Sequence, residues 1–248
     1  MREARVVRLV DHVRLTPCTK SKIPARVSAQ SGFYTMTDGN TKIAYQSALE
    51  CDFVKICDFA NEVQLVHWEP FSIRFDDLID RRERIYTPDY LVETIDDEGH
   101  RNTLIVEVKP QKEIRAIWQR DPTGSAARAH KAMLEWLYGK PRHRFLLICE
   151  DAMARQGLPN IKAVLDRRTY MIPDDLSALF GQSKDLFPAS LRDLVRRGKK
   201  HGFARGAVIS ALLRLCADDQ LFFDVRKPLD DATSFQTGPR NRVFSKCL

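Results

Sequence analysis

Three residues spaced for strand chemistry stand out in the middle of the chain: Asp89 after Pro88, and Glu107 two positions before Lys109. The first lies in Tyr86-Thr87-Pro88-Asp89-Tyr90-Leu91-Val92 and the second pair in Leu104-Ile105-Val106-Glu107-Val108-Lys109-Pro110, with a polar turn between. Successive side chains of a strand alternate faces, so Glu107 and Lys109 share a side while Val106 and Val108 point to the other. If the two segments pair as an antiparallel hairpin, Asp89 and Glu107 converge. Two such charges about 5 Å apart repel by roughly 3 kcal/mol at an effective dielectric of about 20. Without a cation one of them is expected to take up a proton. A hard divalent ion such as Mg²⁺ needs only one or two carboxylates beside waters and phosphate oxygens, so the pair reads as a ligand set for metal-assisted phosphodiester hydrolysis. Lys109 then serves to orient or help deprotonate the attacking water, or to neutralise charge on the phosphate. A solvated strand face with a cross-strand ion pair is the competing reading of Glu107 and Lys109.

The elements that must position these residues follow from periodicity. Ile43–Phe59 reads as a helix, with Tyr45, Leu49, Phe53 and Ile56 as its apolar stripe and Glu50 beside it. Glu62 and Glu69 are rival acids. Phe71-Ser72-Ile73-Arg74-Phe75 alternates like a half-buried strand. Asp121-Pro122-Thr123-Gly124 signals a turn, Ala126–Tyr138 a helix, and Phe145–Cys149 a further strand. Trp118 and Trp136 read as packing residues rather than base-stacking platforms, and His130 as a surface histidine on that helix, with an approach to a phosphate as its other reading. Helix-then-strand order predicts a mixed sheet flanked by helices.

In this order, and with these flanks, the residues resemble the PD-(D/E)-x-K nucleases, and more narrowly the TnsA family, the endonuclease subunits of heteromeric cut-and-paste transposases. The resemblance runs through Ser47-Ala48-Leu49-Glu50-Cys51-Asp52-Phe53, Trp68-Glu69-Pro70-Phe71, the Pro88-Asp89 segment, Val106-Glu107-Val108-Lys109-Pro110 and Phe145–Asp151. It covers roughly residues 30 to 155. It implies an α/β, restriction-endonuclease-like fold, with Glu50, Asp89 and Glu107 around the metal and Lys109 as the catalytic lysine. Glu69 stands where the family often has Gln. The resemblance further implies Mg²⁺, with Mn²⁺ as a substitute, and DNA at transposon 5′ ends as the substrate. Its implied partners are a DDE-type transposase that cuts the 3′ ends and an AAA+ ATPase regulator.

Composition bounds the remainder. At 248 residues, one or two domains are expected. No long apolar run suggests a membrane span, and the charged N-terminus does not look like a signal peptide. The six cysteines show no C-x-x-C pair and no histidine at zinc spacing, which suits a reducing bacterial cytoplasm. A net charge of +7 favours a polyanionic partner. Residues 1–29 read as a basic arm carrying Arg2, Arg5, Arg8, Arg14, Lys20, Lys22 and Arg26. Arg81, Arg82 and Arg84 read as a DNA-contacting loop ahead of Asp89.

The expected organisation is the arm, a nuclease domain over 30–160, a small domain over 172–232 and a flexible tail over 233–248. Gly157-Leu158-Pro159-Asn160 and Ile172-Pro173-Asp174-Asp175 read as loop punctuation between the domains. Helices over Leu176–Phe180, Ser190–Lys200 and Arg205–Ala217, then a strand at Leu221–Val225, resemble a winged-helix module, which many TnsA relatives carry. Its Arg196, Arg197, Lys199, Lys200 and Arg205 are candidate DNA contacts; fold alone leaves a protein partner equally open. Two other functions fit the same residues: a stand-alone restriction or repair nuclease, and a non-catalytic DNA-binding subunit.

Overall fold

The computed structural model describes residues 9–18, 30–181 and 186–238. In chain order its elements are β1 (Val10–Thr16), β2 (Gly32–Thr35), β3 (Lys42–Tyr45), α1 (Ala48–Phe59), β4 (Val63–Trp68), β5 (Ser72–Asp77), β6 (Arg82–Tyr86), β7 (Tyr90–Ile95) and β8 (Arg101–Val108). There follow α2 (Gln111–Arg115), a π-helical turn (Ala116–Arg120), α3 (Ser125–Leu137), β9 (His143–Ile148), α4 (Glu150–Arg155), α5 (Leu158–Leu165) and α6 (Asp174–Gly181). The last elements are β10 (Ala189–Ser190), α7 (Leu191–Lys200), α8 (Arg205–Ala217), β11 (Leu221–Phe222) and β12 (Ser234–Thr237). Among the described residues no helix is long and apolar enough to cross a membrane. The chain is mixed α/β, as a restriction-endonuclease-like fold requires, and it divides into two compact units.

The first unit holds residues 43–51 and 63–150 together with the N-terminal segment. Its four-stranded sheet has the order β4-β7-β8-β9, antiparallel except for the parallel β8–β9 pair. A second sheet has the order β1-β5-β6. Helix α3 packs on both, because Ala132, Met133 and Leu137 fall on one face and meet Phe71, Ile73, Phe75 and Ile105. The parallel β8–β9 pair is joined through α2, the π turn and α3, the helical crossover that parallel strands demand.

Several boundaries differ from the sequence reading. The helix starts at Ala48, not Ile43: Ser47 Oγ accepts the Glu50 N–H at 3.1 Å and donates to Glu50 Oε1 at 3.0 Å. Together they make a Ser-x-x-Glu capping arrangement that fixes the helix start, and Ile43–Tyr45 belongs to β3. The segment carrying Arg82 and Arg84 is strand β6 rather than a loop, paired with β5 from Ile73↔Tyr86 to Asp77↔Arg82; its polar alternation hides an edge strand. Within the supposed basic arm, Val10–Thr16 forms β1 and pairs with β5. Arg2, Arg5, Arg8, Lys20, Lys22 and Arg26 lie outside the described residues. His130 is buried, not at the surface, among Tyr86, Trp118 and Phe145.

The second unit comprises residues 35–42, 52–62 and 151–248. The division thus falls inside the β2–β3 ribbon and inside α1, which no composition shift in the sequence marks. Gly157-Leu158-Pro159-Asn160 opens α5 rather than a loop, since proline is welcome in a helix's first turn. The three C-terminal helices stand close to their expected ranges. Their centre is α8, whose Val208, Ala211, Leu212, Leu213 and Leu215 are buried. Gly198 of α7 lets the two helices meet, for a Cβ there would lie 2.4 Å from Val208 Cγ2. Strands β10-β12-β11 make a small antiparallel sheet. Strand β12 falls in what reads as a flexible tail; buried Phe235 anchors it, its ring tilted against that of Phe223 with centroids 5.2 Å apart. Residues 239–248 of that tail lie outside the described residues.

Candidate active site

The β7–β8 hairpin brings the three central residues together. The register Tyr90↔Val106 places Asp89, just before β7, opposite Glu107. Asp89 Oδ2 accepts the Val108 N–H at 2.7 Å, and its carbonyl accepts the Glu69 N–H at 2.8 Å, so side chain and backbone are both fixed. Lys109 leaves β8 with its N–H on the Ile148 carbonyl at 3.0 Å. Its Nζ reaches Glu107 Oε1 at 2.9 Å and Asp89 Oδ2 at 3.7 Å. The other Glu107 oxygen, Oε2, accepts the Tyr86 hydroxyl at 2.7 Å. Glu107 is buried, as are Val106 and Val108 on either side of it.

Glu50 stands differently. Its Oε2 accepts the Gln46 N–H at 2.8 Å and lies 3.4 Å from the Tyr90 hydroxyl, which also donates to the Ala44 carbonyl at 2.9 Å. Its Oε1 takes Ser47 Oγ. The carboxylate is thus engaged in holding the start of α1, yet its charge acts on both Asp89 and Lys109.

The electrostatics are those of too much negative charge in a dry place. Burial raises the Asp89 carboxyl, the neighbouring Glu107 charge and then Glu50 raise it further, and Lys109 and the Val108 N–H only partly offset them. The result is a pKa of about 7. Burial pulls the Lys109 ammonium down, but Asp89 and Glu107 outweigh it and hold the pKa above its ordinary value. Lys109 is therefore a cation near neutral pH, suited to orienting water and countering charge rather than to taking a proton. Burial first, then the Glu107 charge, keeps the Tyr86 phenol protonated far into the alkaline range.

Among the described residues no three His, Cys, Asp or Glu side chains form a cluster able to hold a metal ion. The donors that do converge, Asp89 and Glu107, are two oxygen ligands with a protonation penalty that a second cation would relieve. This suits a hard divalent ion that keeps its waters and takes its remaining ligands from a phosphate. The structure therefore joins Asp89, Glu107 and Lys109, and leaves Glu50 at the helix cap. Sequence reasoning missed the tyrosines that hold two of these acids. Tyr86 and Tyr90 bracket Thr87-Pro88-Asp89 and read as ordinary core aromatics, since nothing in strand periodicity marks a hydroxyl's partner.

The arginines expected ahead of Asp89 are partly spoken for. Arg84 binds Asp77 through Nε at 2.5 Å and also Asp80. Arg82 lies 3.7 Å from Asp80, and exposed Arg81 has a left-handed φ of 51° at the hairpin tip. In the second unit, Arg196, Arg197, Lys199 and Lys200 project from the exposed side of α7. Arg196 pairs with Asp193 at 2.8 Å, and Arg205, opening α8, pairs with Asp231 at 2.8 Å.

Comparison with known proteins agrees with the geometry. Residues 60–139 match the family model described as TnsA-like endonuclease N terminal. The matched stretch contains Asp89, Glu107 and Lys109 and stops short of Glu50. No curated protein matches the chain.

Proposed function

We propose that this chain, a TnsA-type endonuclease of the restriction-endonuclease-like superfamily, cuts DNA at the 5′ ends of a transposon as one subunit of a heteromeric cut-and-paste transposase. The observation that carries the reading is the meeting of Asp89, Glu107 and Lys109 at one end of the β7–β8 hairpin, within 3.7 Å of the lysine nitrogen. Asp89 and Glu107 are the residues that would hold Mg²⁺, or Mn²⁺ in its place, and Glu50 supplies a further acid if its cap opens. The ion, when bound, contributes Lewis-acid polarisation of the scissile phosphate and lowers the pKa of a coordinated water. The chain's own residues do the rest. Asp89 is locked by the Val108 N–H, Glu107 by Tyr86, and the Lys109 ammonium sits where it can orient the attacking water and balance charge gathering on the phosphate oxygens. Hydrolysis of one strand then leaves a 5′-phosphate and a 3′-hydroxyl.

The second unit supports a DNA-handling role. Its order α6-β10-α7-α8-β11-β12, with a small three-stranded sheet beside the helices, supports reading it as a winged-helix-like module. The exposed cations of α7 are suited to phosphate contacts. A DDE-type transposase acting on the 3′ ends and an AAA+ ATPase regulator are the partners this reading calls for.

Reconstituted excision tests it. Lys109→Ala and Asp89→Ala are each expected to lower 5′-strand cleavage by roughly 10²–10⁴-fold, with 3′ cleavage by the partner retained. The isolated chain with Mg²⁺ is expected to leave plain duplex DNA largely intact. Unchanged 5′ cutting by both variants would defeat the catalytic assignment; vigorous cutting by the chain alone would point to a stand-alone nuclease.

A further inference from the structure

We propose that Tyr86 is a positioning residue for the hydrolytic site: its hydroxyl pins one oxygen of Glu107 and leaves the other, beside Lys109, as the donor available to a divalent cation. This rests on the metal-dependent reading above and assigns a role to a side chain outside the Asp89–Glu107–Lys109 set.

The argument begins with the strand. Tyr86 closes β6, and its Cα pairs with that of Ile73 in β5. The next residue is fixed as well, since Thr87 Oγ1 and Ser72 Oγ share a hydrogen bond of 2.6 Å. The backbone carrying the phenol therefore has two anchors. The ring is walled by His130 at 5.9 Å and Phe145 at 6.4 Å, both edge-on. His130 is itself backed by Trp118, stacked at 5.9 Å. Between these rings the hydroxyl donates to Glu107 Oε2 at 2.7 Å. His130 does not compete for that oxygen: its buried Nδ1 has no hydrogen-bond partner among the described residues.

Glu107 is thus held from two sides. Tyr86 takes Oε2, and Lys109 takes Oε1 at 2.9 Å. Remove the hydroxyl, and among the described residues Lys109 is the donor that remains to a carboxylate that is 5% exposed. The carboxylate is then free to turn both oxygens toward the ammonium, so a cation competes with the lysine at both oxygens rather than sharing Oε1 with it. Residues that orient metal ligands in this way typically change affinity or activity 10–100-fold when altered.

The test is Mn²⁺ binding to the full chain, followed by electron paramagnetic resonance, with melting temperature recorded for each protein. Tyr86→Phe keeps the ring and its packing and is expected to weaken Mn²⁺ binding at least about 10-fold, with a melting temperature close to that of the parent. A second measurement uses the parent protein alone. Adding Ca²⁺ should perturb the ultraviolet spectrum of a buried tyrosine, because a cation on Glu107 withdraws charge from the phenol's acceptor, and that signal should vanish in Tyr86→Phe. Parent-like Mn²⁺ affinity in Tyr86→Phe, or a Ca²⁺ difference spectrum that survives the substitution, would overturn the role of Tyr86 while leaving the metal site standing. A parent chain that binds no Mn²⁺, or binds it equally after Asp89→Ala, would overturn the metal-dependent reading itself.

Discussion

Two partly buried charge clusters in the first unit have opposite characters. One joins Asp77, Asp80, Arg84 and Arg128; the other joins Asp89, Glu107 and Lys109. In the first, Arg128 binds Asp77 through Nε and Asp80 through a terminal nitrogen, each at 2.8 Å, and Arg84 repeats the pattern from the other side. Two acids meet two hydrogen-bonded guanidinium groups, and the exposed Arg82 lies 3.7 Å from Asp80 as well. Burial pushes the Asp77 carboxyl up, but the Asp80 N–H and the two guanidinium groups outweigh it and hold the pKa below its ordinary value. In the second cluster two acids meet one cation, with Glu50 adding to the excess, and Asp89 rises to about 7. A balanced cluster is what a fold needs to close a hairpin under a helix. An unbalanced one is unfavourable in isolation and suits a site that completes itself with a ligand.

Breaking the balanced cluster should have the largest effect on stability. Arg128→Leu leaves Asp77, whose side chain is wholly buried, with one guanidinium instead of two. Removing one partner of a buried ionic network typically costs about 3–5 kcal/mol, so urea unfolding should show a loss of about 3 kcal/mol. A loss under about 1 kcal/mol would mean that the cluster does not hold β5, β6 and α3 together.

The unbalanced cluster should respond in the opposite direction. Asp89 has a folded pKa well above the unfolded carboxylate value, so between pH 4 and pH 7 the folded state binds more protons than the unfolded chain. The metal-free protein therefore loses stability as pH rises through this window, and the penalty is complete above about pH 7. Asp89→Asn keeps an oxygen for the Val108 N–H and removes the charge. In chelator it should stabilise the chain by about 2 kcal/mol at pH 8, the remaining exposure of the side chain screening part of the shift. The gain should shrink toward zero near pH 4. The same substitution should abolish cleavage. A site that is stabilised by losing its function is the mark of strain kept for use, and an Asp89→Asn chain no more stable than its parent at pH 8 would remove the contrast between the clusters.

How far the sequence revealed this contrast depends on the length scale of each signal. The β7–β8 hairpin, the convergence of Asp89 with Glu107 and the tendency of one acid to hold a proton follow from local alternation and Coulomb's law, and all three appear in the structure. The helix start was legible too, but in the wrong motif: Ser47-x-x-Glu50 is a capping signal, whereas the apolar stripe begun at Tyr45 carried the helix boundary too far upstream. Arg84 illustrates the other limit. Its neighbours Arg81 and Arg82 make it look like part of an exposed basic loop, and the acids that engage it, Asp77 at the end of β5 and Asp80 in the turn after it, face it only when β5 pairs with β6. Arg128 and His130 are buried for the same non-local reason, because α3 packs across two sheets whose strands lie scattered along the chain. Partners fixed by sheet register or helix docking leave no local pattern to read.

The exposed cations of α7 extend the comparison to charge with neither burial nor balance. Arg197, Lys199 and Lys200 lie on the solvent side of a helix whose Leu191, Leu194 and Gly198 face inward. In α8 only the first residues, including Arg205 and Gly206, are exposed, and most of the rest is core. A helix so buried has little surface with which to read a base edge, so the DNA contacts proposed for this unit would fall to α7 and to phosphates. Each of Arg197→Ala, Lys199→Ala and Lys200→Ala should change stability by less than about 0.5 kcal/mol. Each should weaken binding to duplex DNA similarly across sequences and reduce the slope of log affinity against log salt by about 1. A substitution that weakened binding to one sequence only, or left the slope unaltered, would assign the α7 face to a protein partner instead. The three kinds of charge would then still rank by burial in their effect on folding.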